Sequence, residues 1–215
     1  MLTTWGRRSA FNVQKVLWLI GELGLEHRHI DAGGSAGGLD SPEFLAMNPH
    51  GRIPVIDDGG TVVWESHAIL RYLAARYASG RLWRDDPRDR SEVDRWMDWS
   101  QTALQPRFLQ GVFWGYYRTP PDQRNWPAIR QALDDCAAHF RILDEVLDRQ
   151  QFLAGDDFSL ADIPAGTCLY RYFELDIERP DVPNVEAWYG RLRERPVYSA
   201  HVMLPFDELR GRAHH

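Results

Sequence analysis

The stretch from Met47 to Leu70, MNPHGRIPVIDDGGTVVWESHAIL, constrains the fold more than any other part of the chain. Pro54 to Asp57 is a short apolar run, Asp57-Asp58-Gly59-Gly60 is a turn cluster, and Thr61 to Trp64 is a β-rich run. Together they predict a β-hairpin. Glu65-Ser66-His67 then opens a helix of apolar period. Pro54 stands at the head of the first strand, where a proline costs no ladder bond. Only about 5 to 6% of X-Pro bonds in folded proteins are cis, so the residues alone favour a trans Ile53-Pro54 bond. Ser66 has two readings: a cap bonding the first backbone N–H groups, or part of a carboxylate site where those groups carry partial positive charge.

Around this stretch the periods alternate and then change. Leu2 to Trp5 is β-rich, and after Gly6-Arg7-Arg8-Ser9 the set Val13, Val16, Leu17 and Ile20 has helical spacing, stopped by Gly24. His27 to Asp31 reads as a second strand, paired in parallel because a helix reverses the chain between them. The glycine-rich Ala32 to Asp40 lacks a G-x-x-x-x-G-K pattern and reads as a loop, not a phosphate cradle. Ser41 caps a short helix with Pro42 at its first position, running to Met47. The order is β-α-β-α-β-β-α. Gly80 to Pro87 is polar and helix-free, and everything beyond is helical in period. Asp89 to about Phe113 presents Val93, Trp96, Met97, Ser100 and Leu104 on one face, and a helix over Trp126 to Gln150 follows the Pro120-Pro121 turn, giving an antiparallel pair that begins a bundle. Ser159-Leu160-Ala161-Asp162 is a capping box with aspartate in the return position. A last helix spans Asn184 to Arg195 and stops at Pro196. The expected organisation is an α/β domain over residues 1–80, a linker over 81–88 and an all-α domain over 89–215.

Several functions are disfavoured on composition. A net charge of −6 provides no basic field for a nucleic acid or an anionic membrane surface. Cys136 and Cys168 form no C-x-x-C and no zinc-type spacing, which suits a reducing compartment. The longest apolar run, Val16 to Ile20, is too short to span a bilayer. A cytoplasmic protein is expected, with no membrane or nucleic-acid partner. The terminal His214-His215 is too short for a metal site.

The run N-P-H-G-R-I-P-V-I, followed about ten residues on by E-S-H-A-I-L-R-Y-L, resembles the glutathione-site signature of soluble glutathione transferases. That resemblance implies a thioredoxin-like first domain, a helical-bundle second domain, a homodimer, and a cis Ile53-Pro54 bond. It implies glutathione as co-substrate and no tightly bound cofactor. Glu65 would hold the γ-glutamyl ammonium and Ser66 its carboxylate; the Ile53 backbone, with Pro54 cis, would pair with the cysteinyl backbone as an added strand; His50 and Arg52 would face the glycyl carboxylate. Arg52 has an alternative as a solvated surface charge. Phe158 to Ala165 resembles the family's structural helix-capping motif.

A thioredoxin-like fold with its own redox chemistry would carry C-x-x-C at the start of its first helix, but Arg8-Ser9-Ala10-Phe11-Asn12 has no cysteine, so the thiol comes from outside. Bringing a thiol from about 8.5 to about 6.5 takes roughly 2.7 kcal/mol, within reach of one charge-assisted hydrogen bond of about 1.5–3 kcal/mol. Ser9 and Asn12 are the candidate donors, and each has an alternative as a helix cap or turn residue. Ser9 precedes Lys15 by six residues and Asn12 precedes it by three, as asparagine does in some bacterial members that act on disulfides. No tyrosine occupies the region, which sets the tyrosine-type classes aside. An acceptor pocket between the domains would draw on Trp99, Ala103, Phe108 and Phe113, and Asp98 would reach glutathione across a dimer interface. The leading expectation is conjugation of glutathione to a small hydrophobic electrophile. The alternatives are glutathione-dependent disulfide or peroxide reduction, and a non-catalytic interaction module.

Overall fold

The computed structural model describes residues 1–78 and 80–212, so His214-His215 lies outside the described residues. Its first part follows the expected order: β1 (Leu2–Trp5), α1 (Phe11–Glu22), β2 (His27–Ile30), α2 (Pro42–Met47), β3 (Val55–Asp58), β4 (Thr61–Trp64) and α3 (Ser66–Tyr77). The sheet runs β2-β1-β3-β4. The α1 crossover makes β1 and β2 parallel, whereas β3 lies antiparallel to β1 and the two-residue Gly59-Gly60 turn makes β4 antiparallel to β3. The Gly60 N–H donates to Asp57 Oδ1 at 2.6 Å and locks that turn.

Then come α4 (Pro87–Trp99), α5 (Trp126–Leu147), α6 (Asp162–Glu174), α7 (Pro183–Arg193) and α8 (Pro196–His201). The architecture is a thioredoxin-like domain with a four-stranded mixed sheet, followed by a helical domain. No helix among the described residues is long and apolar enough to cross a membrane.

One helix departs from the expected form. The run read as a single helix to about Phe113 begins as α4, then widens into π-helical backbone over Ser100–Leu104 and Pro106–Arg118. Pro106 supplies the reason: it has no N–H to donate, and its ring collides with the carbonyl four residues back, so the chain adopts i→i+5 turns around it. Gly111 and Gly115 hold this segment tight against α5. A Cβ on Gly111 would lie 2.5 Å from Ala132 Cβ, and one on Gly115 3.3 Å from Ile129 Cγ1.

The two halves share a core through α1, whose residues Val13 to Ile20 are all buried. Trp18 packs edge-on to Tyr198 at 4.7 Å and against Phe158 at 5.5 Å, while Arg195 forks onto both Glu22 carboxylate oxygens at 2.8 and 2.6 Å. At the head of α6, Asp162 accepts from Leu153 N–H, Ser159 N–H, Ser159 Oγ and Trp188 Nε1. Only half of the expected capping box forms: Asp162 takes the Ser159 N–H, but Ser159 Oγ accepts from Ala161 N–H rather than from Asp162 N–H, and Ala161 is the N-cap of α6. The Asp162 carboxylate ties the segment before the helix and α7 to the start of α6.

Candidate active site

β1 ends at Trp5, and the chain turns at Gly6, where φ is +146° and a Cβ would lie 2.5 Å from Val13 Cγ2. Only glycine fits that close approach of turn and helix. The turn sets Ser9 just ahead of α1. The helix N-cap is Ala10, with no side-chain capping bond, so neither Ser9 nor Asn12 serves as the cap. Both line a cavity of about 490 Å³ between the domains.

Asn12 is fixed by a chain of buried polar groups. Lys15 Nζ donates to Gln105 Oε1 at 2.6 Å, and Gln105 Nε2 donates to Asn12 Oδ1 at 3.2 Å. With the Asn12 carbonyl committed to Gln105, its amide nitrogen keeps both protons for another acceptor. Lys15 also contacts His67 Nε2 at 3.2 Å. Burial pushes the His67 pKa down to about 2 and Lys15 down to about 7, so His67 is neutral and accepts from Lys15. Ser9 is held through its backbone, its carbonyl accepting from Arg171 Nη2 at 2.7 Å.

A second cavity, of about 570 Å³, opens on the other side of Asn12. Glu65, Ser66, Pro54, Asn48, Gln101 and Gln105 line it, and Asn12, Arg52, Ile53, Leu109 and Trp114 border both cavities. The Ile53-Pro54 bond is cis, as the family resemblance implies and against the base-rate reading. Buried Asn48 holds the loop before it, donating to the Arg52 carbonyl at 2.7 Å and accepting from the His50 N–H at 3.1 Å. Glu65 is the N-cap of α3 and the only non-glycine with positive φ among the described residues, at +68°. Such strain concentrates at ligand sites. Ser66 is buried at the first helical position and does not cap α3, which leaves its hydroxyl and the helix N-terminus to the cavity.

Some candidates stand elsewhere. His50 is exposed beside Trp64, with rings 5.2 Å apart, and borders neither cavity. Of the acceptor set only Phe113 lines the first cavity. Trp99 packs against Trp96 and His139, Phe108 is enclosed against Tyr172, and Ala103 lies outside the lining. The wide turns explain this, because a period of four to five residues brings Leu109, Trp114 and Arg118 to the cavity beside Phe113. Asp98 accepts from Arg71 of its own chain at 2.5 Å.

Sequence reasoning passed over Lys15, Gln105 and Arg171. For Lys15 and Arg171 the available signal was placement: Gln14 and Lys15 interrupt the apolar run of α1, and Arg171 does the same in α6. Both cysteines are free and buried, their thiols pushed up to about 12 by burial, which leaves them un-ionised at neutral pH.

The glutathione S-transferase N-terminal domain family matches residues 1–75, and the glutathione S-transferase C-terminal domain family matches residues 107–196. Among curated proteins, Glutathione S-transferase GstB of Escherichia coli is 40% identical, over 95% of this chain and 99% of that one. The Disulfide-bond oxidoreductase YfcG of E. coli is 28% identical, over 86% and 87%. Among solved structures, the theta class glutathione S-transferase of Xanthomonas axonopodis pv. citri with glutathione bound superposes with a TM-score of 0.89, at 43% identity over 95% of this chain and 98% of that one.

Proposed function

The chain belongs to the glutathione S-transferase family, and from that premise we propose that it binds glutathione in the cavity of Glu65 and Ser66, holds the sulfur at Asn12, and transfers it to a small apolar electrophile in the adjoining cavity. It is a glutathione transferase, with glutathione as co-substrate. The observation that carries the finer reading is the junction of two cavities at an asparagine whose carbonyl is already engaged.

The Asn12 amide proton meets the thiolate and supplies about 1.5–3 kcal/mol, to which the N-terminus of α1 adds about 0.3–1 kcal/mol. Ser9 stands nearby as a weaker donor. At Glu65 the side chain takes the γ-glutamyl ammonium, Ser66 its carboxylate, and the Ile53 backbone the cysteinyl amide. Arg52 faces the glycyl carboxylate, while His50 stands outside both cavities. The thiolate then attacks an electrophilic carbon: the sulfur–carbon bond forms as the leaving group departs with its electron pair, or as the electron pair of a conjugated double bond moves onto the neighbouring atom. The reading includes a division at residues 81–88 between the domains of 1–80 and 89–215, a homodimer, and a cytoplasmic location.

Glutathione calorimetry on Ser66→Ala and Glu65→Gln tests the site. At least tenfold weaker binding in each is expected, and wild-type affinity in both would contradict it. Reduction of glutathione mixed disulfides is the second reading, favoured by Asn12 as the sulfur-holding residue and by the likeness to YfcG. Turnover of such a disulfide faster than of any alkyl halide would put that reading first.

A further inference from the structure

The acceptor cavity is lined by four arginines and, among the described residues, by no aspartate or glutamate. Arg52 stands at its border with the glutathione cavity, whereas Arg7, Arg118 and Arg171 come from the turn after β1, the end of the π-helical segment and α6, and meet in its wall. Apart from Ser9 and Asn12, the remaining side chains of the wall are apolar, Phe11, Leu109, Phe113 and Leu209 among them.

Arg171 carries most weight. It is only 3% exposed, and among the described residues no carboxylate lies within ion-pair distance of it. Its Nη2 donates to the Ser9 carbonyl at 2.7 Å and to Gln14 Oε1 at 3.4 Å, while its buried Nε has no hydrogen-bond partner. The guanidinium lies over the Phe113 ring at 4.7 Å, with Phe11 and Phe206 at 5.7 and 5.8 Å. Burial, and then the nearby charges of Arg7 and Arg118, push its pKa down to about 10. Glu208 attracts Arg7 but does not line the cavity. A tether to one backbone carbonyl needs a single N–H, not a guanidinium held between two like charges. A buried cation with an open donor is costly unless an anion completes it, and guanidinium geometry suits a planar carboxylate.

We propose that Arg171, with Arg7 and Arg118, forms an anion subsite in the acceptor cavity, and that the electrophile is a small apolar molecule bearing a carboxylate. This rests on the transferase reading above, in which the carboxylates of glutathione itself lie at Ser66 and Arg52.

The test compares para-(chloromethyl)benzoate with its methyl ester. In both, the glutathione thiolate forms a sulfur–carbon bond at the benzylic carbon as the carbon–chlorine bond breaks and chloride leaves with the electron pair. Wild-type kcat/KM is expected to favour the carboxylate, and Arg171→Gln to reduce that preference at least about tenfold, with Arg171→Lys restoring part of it. Arg7→Gln provides the same reading should Arg171→Gln not fold. Equal losses on both substrates, or a wild type indifferent to the carboxylate, would overturn the subsite. A rise in the glutathione KM without a change in preference would assign the anion to glutathione and overturn it too. Calorimetry with para-methylbenzoate against para-methylbenzamide separates the two readings: selective binding of the benzoate without any conjugation supports the subsite while the transferase reading fails, and no selectivity fails the subsite alone.

Discussion

Asn12, Gln105 and Lys15 form a line in which each group sets the next, because the Lys15 ammonium donates to the Gln105 carbonyl and so leaves the Gln105 amide turned toward Asn12. Gln105→Met removes that hold. It is expected to lower kcat roughly tenfold or more, as for the loss of one hydrogen bond to a charged group, with the KM for glutathione little changed; steady-state kinetics measure the split, and an unchanged kcat would separate Gln105 from the chemistry. Lys15 has a second signature. Its pKa falls from 10.5 in the unfolded chain to about 7 in the folded one because burial disfavours the ammonium. Between about pH 7 and 10.5 the unfolded chain therefore binds more protons, so this group makes stability rise with pH in that window. Denaturation midpoints at pH 7 and pH 9 are expected to show that rise in the wild type and to lose it in Lys15→Met; identical slopes would contradict it. That Glu65, Ser66 and Arg52 share one cavity was legible in the sequence because their motif is local. Gln105 was not: it lies 93 residues from Asn12, and no period or spacing links the two.

At the scale of elements, α6 depends on its first carboxylate. Asp162 accepts four hydrogen bonds in a fully buried place, so Asp162→Ala leaves the Leu153 and Ser159 N–H groups and the Trp188 indole without their acceptor. A loss of at least about 3 kcal/mol is expected from chemical denaturation, larger than for an exposed cap. Gly111→Ala places a methyl 2.5 Å from Ala132 Cβ and is expected to cost about 1–3 kcal/mol as the helix pair is forced apart; a neutral result would show that the segment shifts freely. The strands, α2 and the Asp162 half of the capping box could be read from the sequence because turn and cap residues mark them directly. The π-helical stretch could not. Its apolar residues keep a pattern compatible with an ordinary helix, and Pro106, though visible in the sequence, signals an interruption without saying whether the helix ends, kinks or widens there.

Across the whole molecule, α1 serves both domains. Its start borders the two cavities, its sides are buried against α3, α6 and α8, and Lys15 and Gln14 are buried because the helix is covered all round. The sequence shows only the stripe Val13, Val16, Leu17 and Ile20, since burial of the rest of the helix depends on α6 and α8, more than a hundred positions away. The same arrangement brings a polar cavity and an arginine-rich one together at Asn12, where the proposed function puts the sulfur. The most direct test is an absorbance titration of the thiolate of bound glutathione in the wild type, Ser9→Ala and Asn12→Ala. The predicted result is a thiol pKa well below that of free glutathione in the wild type, raised by one to two units in Asn12→Ala and less in Ser9→Ala, about 1.4 kcal/mol per unit. A wild-type pKa equal to that of free glutathione, or a rise confined to Ser9→Ala, would contradict the placement of the sulfur at Asn12.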